Sequence, residues 1–125
     1  MSQSVKLDWM MALLFCRYFN MELATIPNKS FEMKFLQLID NSKTDHYQIF
    51  IGGTDEGTKG KWYWAKNGEQ IKYDIEWNAG EPNNLYNTQP TAENCLALMS
   101  LTGKFKFSDF VCISEVAFIC EYSYQ

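Results

Sequence analysis

The chain is 125 residues long and carries 15 acidic against 11 basic side chains, a net charge of −4. That is one domain's worth of sequence, and with apolar residues at 46% and aromatics at 16% it can bury a real core, which excludes intrinsic disorder. The acidic balance, with no run of Lys or Arg, lacks the basic footprint that a nucleic acid or an anionic membrane needs, and the apolar run at residues 9–15 is too short to insert across a bilayer.

Cysteines stand at positions 16, 95, 112 and 120. None forms a C-x-x-C pair and the only histidine is His46, so neither an ordinary zinc site nor a thioredoxin-type redox site is suggested. An even count without metal spacing favours disulfides, and disulfides imply an oxidising, extracellular setting. The three possible pairings stay open on arithmetic alone. The first residues have neither the charged start nor the long apolar core of a signal peptide, so Met1 reads as an added start on a mature secreted domain.

In chain order, residues 8–19 place Trp9, Ala12, Leu13 and Cys16 at helical spacing behind Asp8 as N-cap. Met10, Met11, Leu14 and Phe15 make the other faces apolar too, which predicts a helix packed on several sides. A second helix fits residues 30–40, with Ser30 as cap and Phe31, Phe35, Leu38 and Ile39 on one stripe. A turn follows at residues 41–45, leaving His46 solvated. The period then changes to short β runs at residues 48–53, 61–64 and 71–73. Residues 78–94 show no apolar periodicity and read as a long loop, which in a compact domain is usually either functional or the sign of a wrong element assignment. Three more strands are expected near residues 95–100, 104–107 and 117–122. Helices first and strands later predicts a single α+β domain over residues 1–125.

Oxygen donors gather in and after the long loop: Glu81, Asn83, Glu93, Asn94, Ser108 and Asp109. Carboxylate and amide oxygens without His or thiolate suit Ca²⁺, which takes roughly 6–8 oxygens in irregular geometry. The spacing is not that of an EF-hand, so the ligands would be drawn from separate segments.

The ordered landmarks Trp9-x-x-Ala12-x-x-x-Cys16, Phe50-Ile-Gly-Gly, Trp77-Asn-Ala-Gly-Glu81-Pro82-Asn83, Glu93-Asn-Cys95, Phe107-Ser108-Asp109, and Cys112 through Ala117-Phe-Ile-Cys120-Glu121 resemble a C-type lectin carbohydrate-recognition domain. The resemblance runs from about Val5 to Tyr122 and includes all four cysteines. It implies the C-type lectin-like fold: two helices flanking small antiparallel sheets, with a long calcium- and sugar-binding loop. It also implies a Cys16–Cys120 bridge, a Cys95–Cys112 bridge beneath the loop, and the short form without a third, N-terminal pair. Glu81-Pro82-Asn83, with a cis proline, corresponds to the family's mannose-type triplet, and Glu93 and Asp109 to the remaining carboxylate ligands. A carboxylate can ligate the ion and accept from a sugar hydroxyl, while an amide ligates through oxygen and donates through nitrogen. That order favours mannose, fucose or glucose over galactose.

The chain departs from the family pattern in two places. Ser108 stands where the family usually has asparagine, and a hydroxyl cannot both reach the ion and donate as an amide does, so calcium or sugar affinity is expected to fall. The positions of an auxiliary calcium site correspond to Asp55, Lys59, Asn84, Glu93 and Asn94, where a cation and neutral amides replace acids, so one Ca²⁺ is expected.

Tyr86, in the loop, could pack its ring on the apolar face of a pyranose. Trp62, Trp64 and Trp77 are expected in the core, and Asn28-Lys29-Ser30 matches an N-glycosylation acceptor, partly masked by a helix starting there. The implied protein is a secreted, non-enzymatic lectin acting on glycans or glycoproteins in recognition or innate defence. Oligomers that add avidity remain open. Two other readings compete with it: a protein-interaction domain that has lost sugar binding through Ser108, and a glycosidase using Glu81 and Glu93. The last is disfavoured because carboxylates neutralised by calcium are poor proton donors.

Overall fold

The computed structural model describes residues 5–55, 57, 60–81, 94–101 and 103–122. Helix α1 spans Trp9–Tyr18, and its N-cap Asp8 accepts a hydrogen bond from the Met11 amide. As expected, Trp9, Ala12, Leu13 and Cys16 face inward, and the Trp9 indole donates to the Ile51 carbonyl at 2.9 Å. Of the other expected packing residues, Phe15 is half-buried and meets the Phe118 ring edge-on, whereas Met10, Met11 and Leu14 are about half exposed, because the described residues cover α1 from one side.

Strand β1 (Met21–Leu23) follows, then α2 (Lys29–Asn41). The α2 cap is Asn28 rather than Ser30; its side chain accepts from the Phe31 amide at 2.8 Å. The buried stripe is also rotated from the expected one. Phe31 and Leu38 are exposed, while Glu32, Phe35, Leu36 and Ile39 face the core at i, i+3, i+4 and i+7. Apolarity misleads here because the inward position at 32 is a glutamate, kept buried by the Lys29 ammonium at 2.8 Å and the Glu76 amide at 3.1 Å.

Strands β2 (Gln48–Thr54), β3 (Tyr63–Trp64), β4 (Cys95–Ser100) and β5 (Phe105–Phe110) lie in the order β3-β2-β4-β5, all antiparallel. Strand β6 (Ala117–Phe118) adds to β2 in parallel, and β7 (Cys120–Tyr122) pairs with β1 in a second sheet. The single strand expected at residues 117–122 is therefore two. Ile119 is the crossing point: its amide donates to the Phe50 carbonyl and its own carbonyl accepts from the Ala24 amide. No strand forms at residues 71–73; the Ile71 amide donates to the Trp62 carbonyl, and the Tyr73 hydroxyl leaves the ladder to donate to the Ile26 carbonyl.

Side chains of the central sheet alternate between two cores. Ile49, Ile51, Leu96 and Leu98 join Ile26, Leu36, Trp62, Trp64, Phe105 and Phe107 on one face, with Trp77 packed against them. Phe50, Cys95 and Ala97 join Trp9, Leu13, Leu23 and Phe118 beneath α1 on the other. The tryptophans are thus core residues, as expected. His46, by contrast, is half-buried rather than solvated. Both implied disulfides are present: Cys16–Cys120 closes a separation of 104 residues and Cys95–Cys112 one of 17.

Gly52 lies where β2 passes β1. A Cβ there would sit 2.9 Å from the Leu23 carbonyl oxygen and 3.1 Å from that of Ala24, and its amide donates to the latter. Main chain cannot yield as a side-chain tip can, so Gly52→Ala is expected to lower stability by about 2–3 kcal/mol, the upper part of the range for overpacking, as read by urea unfolding.

Candidate functional site

The long loop is anchored where it leaves and where it returns. On the way in, Trp77 runs parallel to Phe107: the Asn78 amide donates to the Phe107 carbonyl, and the Phe107 amide to the Glu76 carbonyl, each at 2.8 Å. Asn78 is buried, and its side-chain amide donates to the carbonyls of Met99 and Lys106 and to the Ser108 hydroxyl at 2.9 Å. The Asn78 carbonyl then accepts from the Glu81 amide at 2.9 Å, closing a turn with Gly80 at φ +83°. This positive φ suits glycine, which has no Cβ to clash. Glu81 therefore emerges from a turn clamped to β5.

On the way out, the Asn94 carbonyl accepts from the Asp55 amide and the Thr54 hydroxyl. Cys95 opens β4 opposite Phe110 and is bridged to Cys112. Ser108 and Asp109 lie in β5 between these two anchors, facing Ala97 and Leu96 across the ladder, and both are buried.

Of the expected site residues, Glu81, Ser108 and Asp109 are placed by this framework, whereas Asn83, Tyr86 and Glu93, with Pro82, lie outside the described residues. Among the described residues no group of three or more His, Cys, Asp or Glu side chains could hold a metal ion. The carboxylates that are described, Glu81 and Asp109, are hard oxygen donors of the kind Ca²⁺ takes, so this part of the donor set fits the ion. Ser108 has a definite structural task, accepting the hydrogen bond from Asn78. Sequence reasoning missed Asn78, which fixes the turn before Glu81 against the sheet; its signal is its place directly after Trp77 and three residues before Glu81. At the expected auxiliary site, Asp55 is buried and accepts from the Gly60 amide at 3.0 Å, while Lys59, Asn84 and Glu93 lie outside the described residues.

The entry strap is also tied to α2. Lys29 bridges Glu32 and Glu76 and donates to the Asp74 carbonyl, and its hydrogen bond to Glu32 holds the ammonium above its ordinary range. Burial, helped by the Glu32 charge, pushes the Tyr73 hydroxyl well up. Both shifts act in the same direction. Tyr73 of an unfolded chain ionises near pH 10 while the folded one does not, and the Lys29 contribution, full below about pH 10.4, is lost as pH rises through its folded value. Stability is therefore expected to hold through neutral pH and fall above about pH 10. Tyr73→Phe should flatten that alkaline limb in denaturant titrations while costing about 1 kcal/mol at pH 7 for the lost bond to Ile26.

Residues 5–122 match the family model for the lectin C-type domain. The chain belongs to this family. Among curated proteins it is 38% identical over 117 residues to the C-type lectin lectoxin-Lio1 of Erythrolamprus poecilogyrus, covering 90% of this chain and 66% of the relative. It is 31% identical over 116 residues to a C-type lectin mannose-binding isoform of Notechis scutatus scutatus, covering 91% and 70%. The chain thus spans about two thirds of the length of these relatives. Among solved structures, the human scavenger receptor C-type lectin carbohydrate-recognition domain superposes with a TM-score of 0.79 at 27% identity, covering 97% of this chain and 87% of that one. The C-type lectin fold, its two helices, its antiparallel sheets and its two bridges are therefore those that the sequence resemblance implies. No described helix is long and apolar enough to cross a membrane.

Proposed function

We propose that this C-type lectin domain is a secreted, calcium-dependent receptor for mannose- or fucose-type glycans, with one Ca²⁺ held by Glu81, Asn83, Glu93, Asp109 and, as a weak neutral ligand, Ser108. The observation that carries the reading is the double anchoring of the loop on β5. The strap before Glu81 is bonded to Phe107 and Ser108, and the strand after Glu93 is paired to Phe110, so both arms of the loop return to the segment bearing Asp109. A Ca²⁺ ion bound there supplies coordination for two vicinal sugar hydroxyls. The chain's own groups read those hydroxyls: Glu81 and Glu93 accept, Asn83 donates, and Tyr86 offers a ring face. Ser108 serves this site by holding Asn78 and through it the turn before Glu81. The mannose-binding name of a relative supports the sugar class, and glycans or glycoproteins follow as partners. The two disulfides support secretion.

Ser108 also favours a second reading, a protein-binding domain with weak sugar affinity, since its hydroxyl is engaged by Asn78. Immobilised glycans probed with the folded domain in calcium and again with a chelator separate the two. Signal on mannose- or fucose-terminated glycans that vanishes with chelator is the expected result. Silence in both conditions would overturn it and leave the protein-binding reading.

A further inference from the structure

We propose that Asn28 carries an N-linked glycan. The inference goes beyond the lectin reading, but it rests on the premise, shared with that reading, that the chain passes through an oxidising secretory compartment. Asn28-Lys29-Ser30 is the only N-x-[ST] sequence in the chain. Pro27, Asn28 and Ser30 are all exposed, and the Lys29 side chain between them is held down on Glu32 and Glu76. The helix takes in Lys29 and Ser30 as its first residues but not the acceptor itself: Asn28 is the N-cap and keeps an extended backbone, with φ −159° and ψ 172°.

The capping geometry decides the point chemically. Asn28 caps α2 through Oδ1 alone, which accepts from the Phe31 amide, while Nδ2 meets no acceptor among the described residues. Glycosylation spends only that nitrogen. Nδ2 attacks C1 of an oligosaccharide carried on a lipid diphosphate, the new C–N bond forms as the C1–O bond breaks, the lipid diphosphate leaves with the electron pair, and the amide proton passes to a base of the transferase. Nothing is oxidised or reduced, and the product amide retains its carbonyl oxygen. The cap therefore survives modification, and the exposed position gives the glycan room.

The test expresses the full chain in cultured insect cells behind a secretion leader, as wild type, Ser30→Ala and Asn28→Asp, the last retaining a capping oxygen. Intact mass and peptide maps are read before and after peptide:N-glycosidase treatment, in both the medium and the cell extract. The wild type is expected to carry a glycosidase-sensitive mass at Asn28 that is lost completely in both variants. After enzymatic removal, which leaves aspartate at position 28, the protein should melt with Asn28→Asp. Wild-type protein with both disulfides formed and no glycan in either fraction would overturn the proposal, as would a glycan that persists in Ser30→Ala. Glycosylated protein retained inside the cell would support the acceptor site while counting against secretion, so the two readings fail separately.

Discussion

Asp109→Asn is expected to abolish calcium-dependent glycan binding while leaving the fold intact. The substitution keeps the shape of a buried side chain in β5 and removes its charge. A neutral amide is a far weaker Ca²⁺ ligand than a carboxylate, and losing even a supporting group around a metal typically costs about 10–100-fold. Binding to mannose-terminated glycans should therefore fall by more than about a hundredfold, and the calcium concentration for half-saturation should rise in step. Isothermal titration with calcium, followed by glycan binding at saturating calcium, checks both. Unchanged calcium affinity in a folded Asp109→Asn protein would remove Asp109 from the ligand set.

The largest effect on stability is expected from the double variant Cys16→Ala/Cys120→Ala. This bridge joins the inner face of α1 to the first residue of β7 and closes a separation of 104 residues. Releasing a loop of that length returns to the unfolded chain a conformational freedom worth about 4–5 kcal/mol, a large share of the roughly 5–15 kcal/mol that holds a domain together. The melting temperature should drop by roughly 15 °C. Cys95→Ala/Cys112→Ala opens a separation of only 17 and should cost less, about 3 kcal/mol. Its consequence for function is larger than its stability cost, because Cys95 begins the strand to which the long loop returns and Cys112 lies three residues beyond Asp109. Calorimetry and glycan binding on both variants would separate the two roles. Equal losses of stability would contradict the loop-length argument.

Much was legible in the order of residue types. The face of α1 with its Asp8 cap, strand β4 to the residue, the α+β order and the span of the family resemblance follow from local periodicity, caps and landmarks, which depend on neighbours a few residues apart. The cysteine count implied an oxidised protein, and the landmarks implied which cysteines pair. Other features depend on partners far along the chain. Glu32 could not be read as a core residue, because its burial rests not only on Lys29, three residues before it, but also on the amide of Glu76, 44 residues away. The exposed side of α1 looked as apolar as its buried side, and what distinguishes them is the placement of β1, β2, β4 and β6 beneath one face. Ile119 divides one apolar run between two sheets because Phe50 and Ala24 take its two backbone groups. The candidate site follows the same division. Its oxygen donors are readable as chemistry from Glu81, Asn83, Glu93 and Asp109, whereas the clamp that sets the loop on β5, Asn78 with its three acceptors, arises only when strands distant in sequence are hydrogen-bonded side by side.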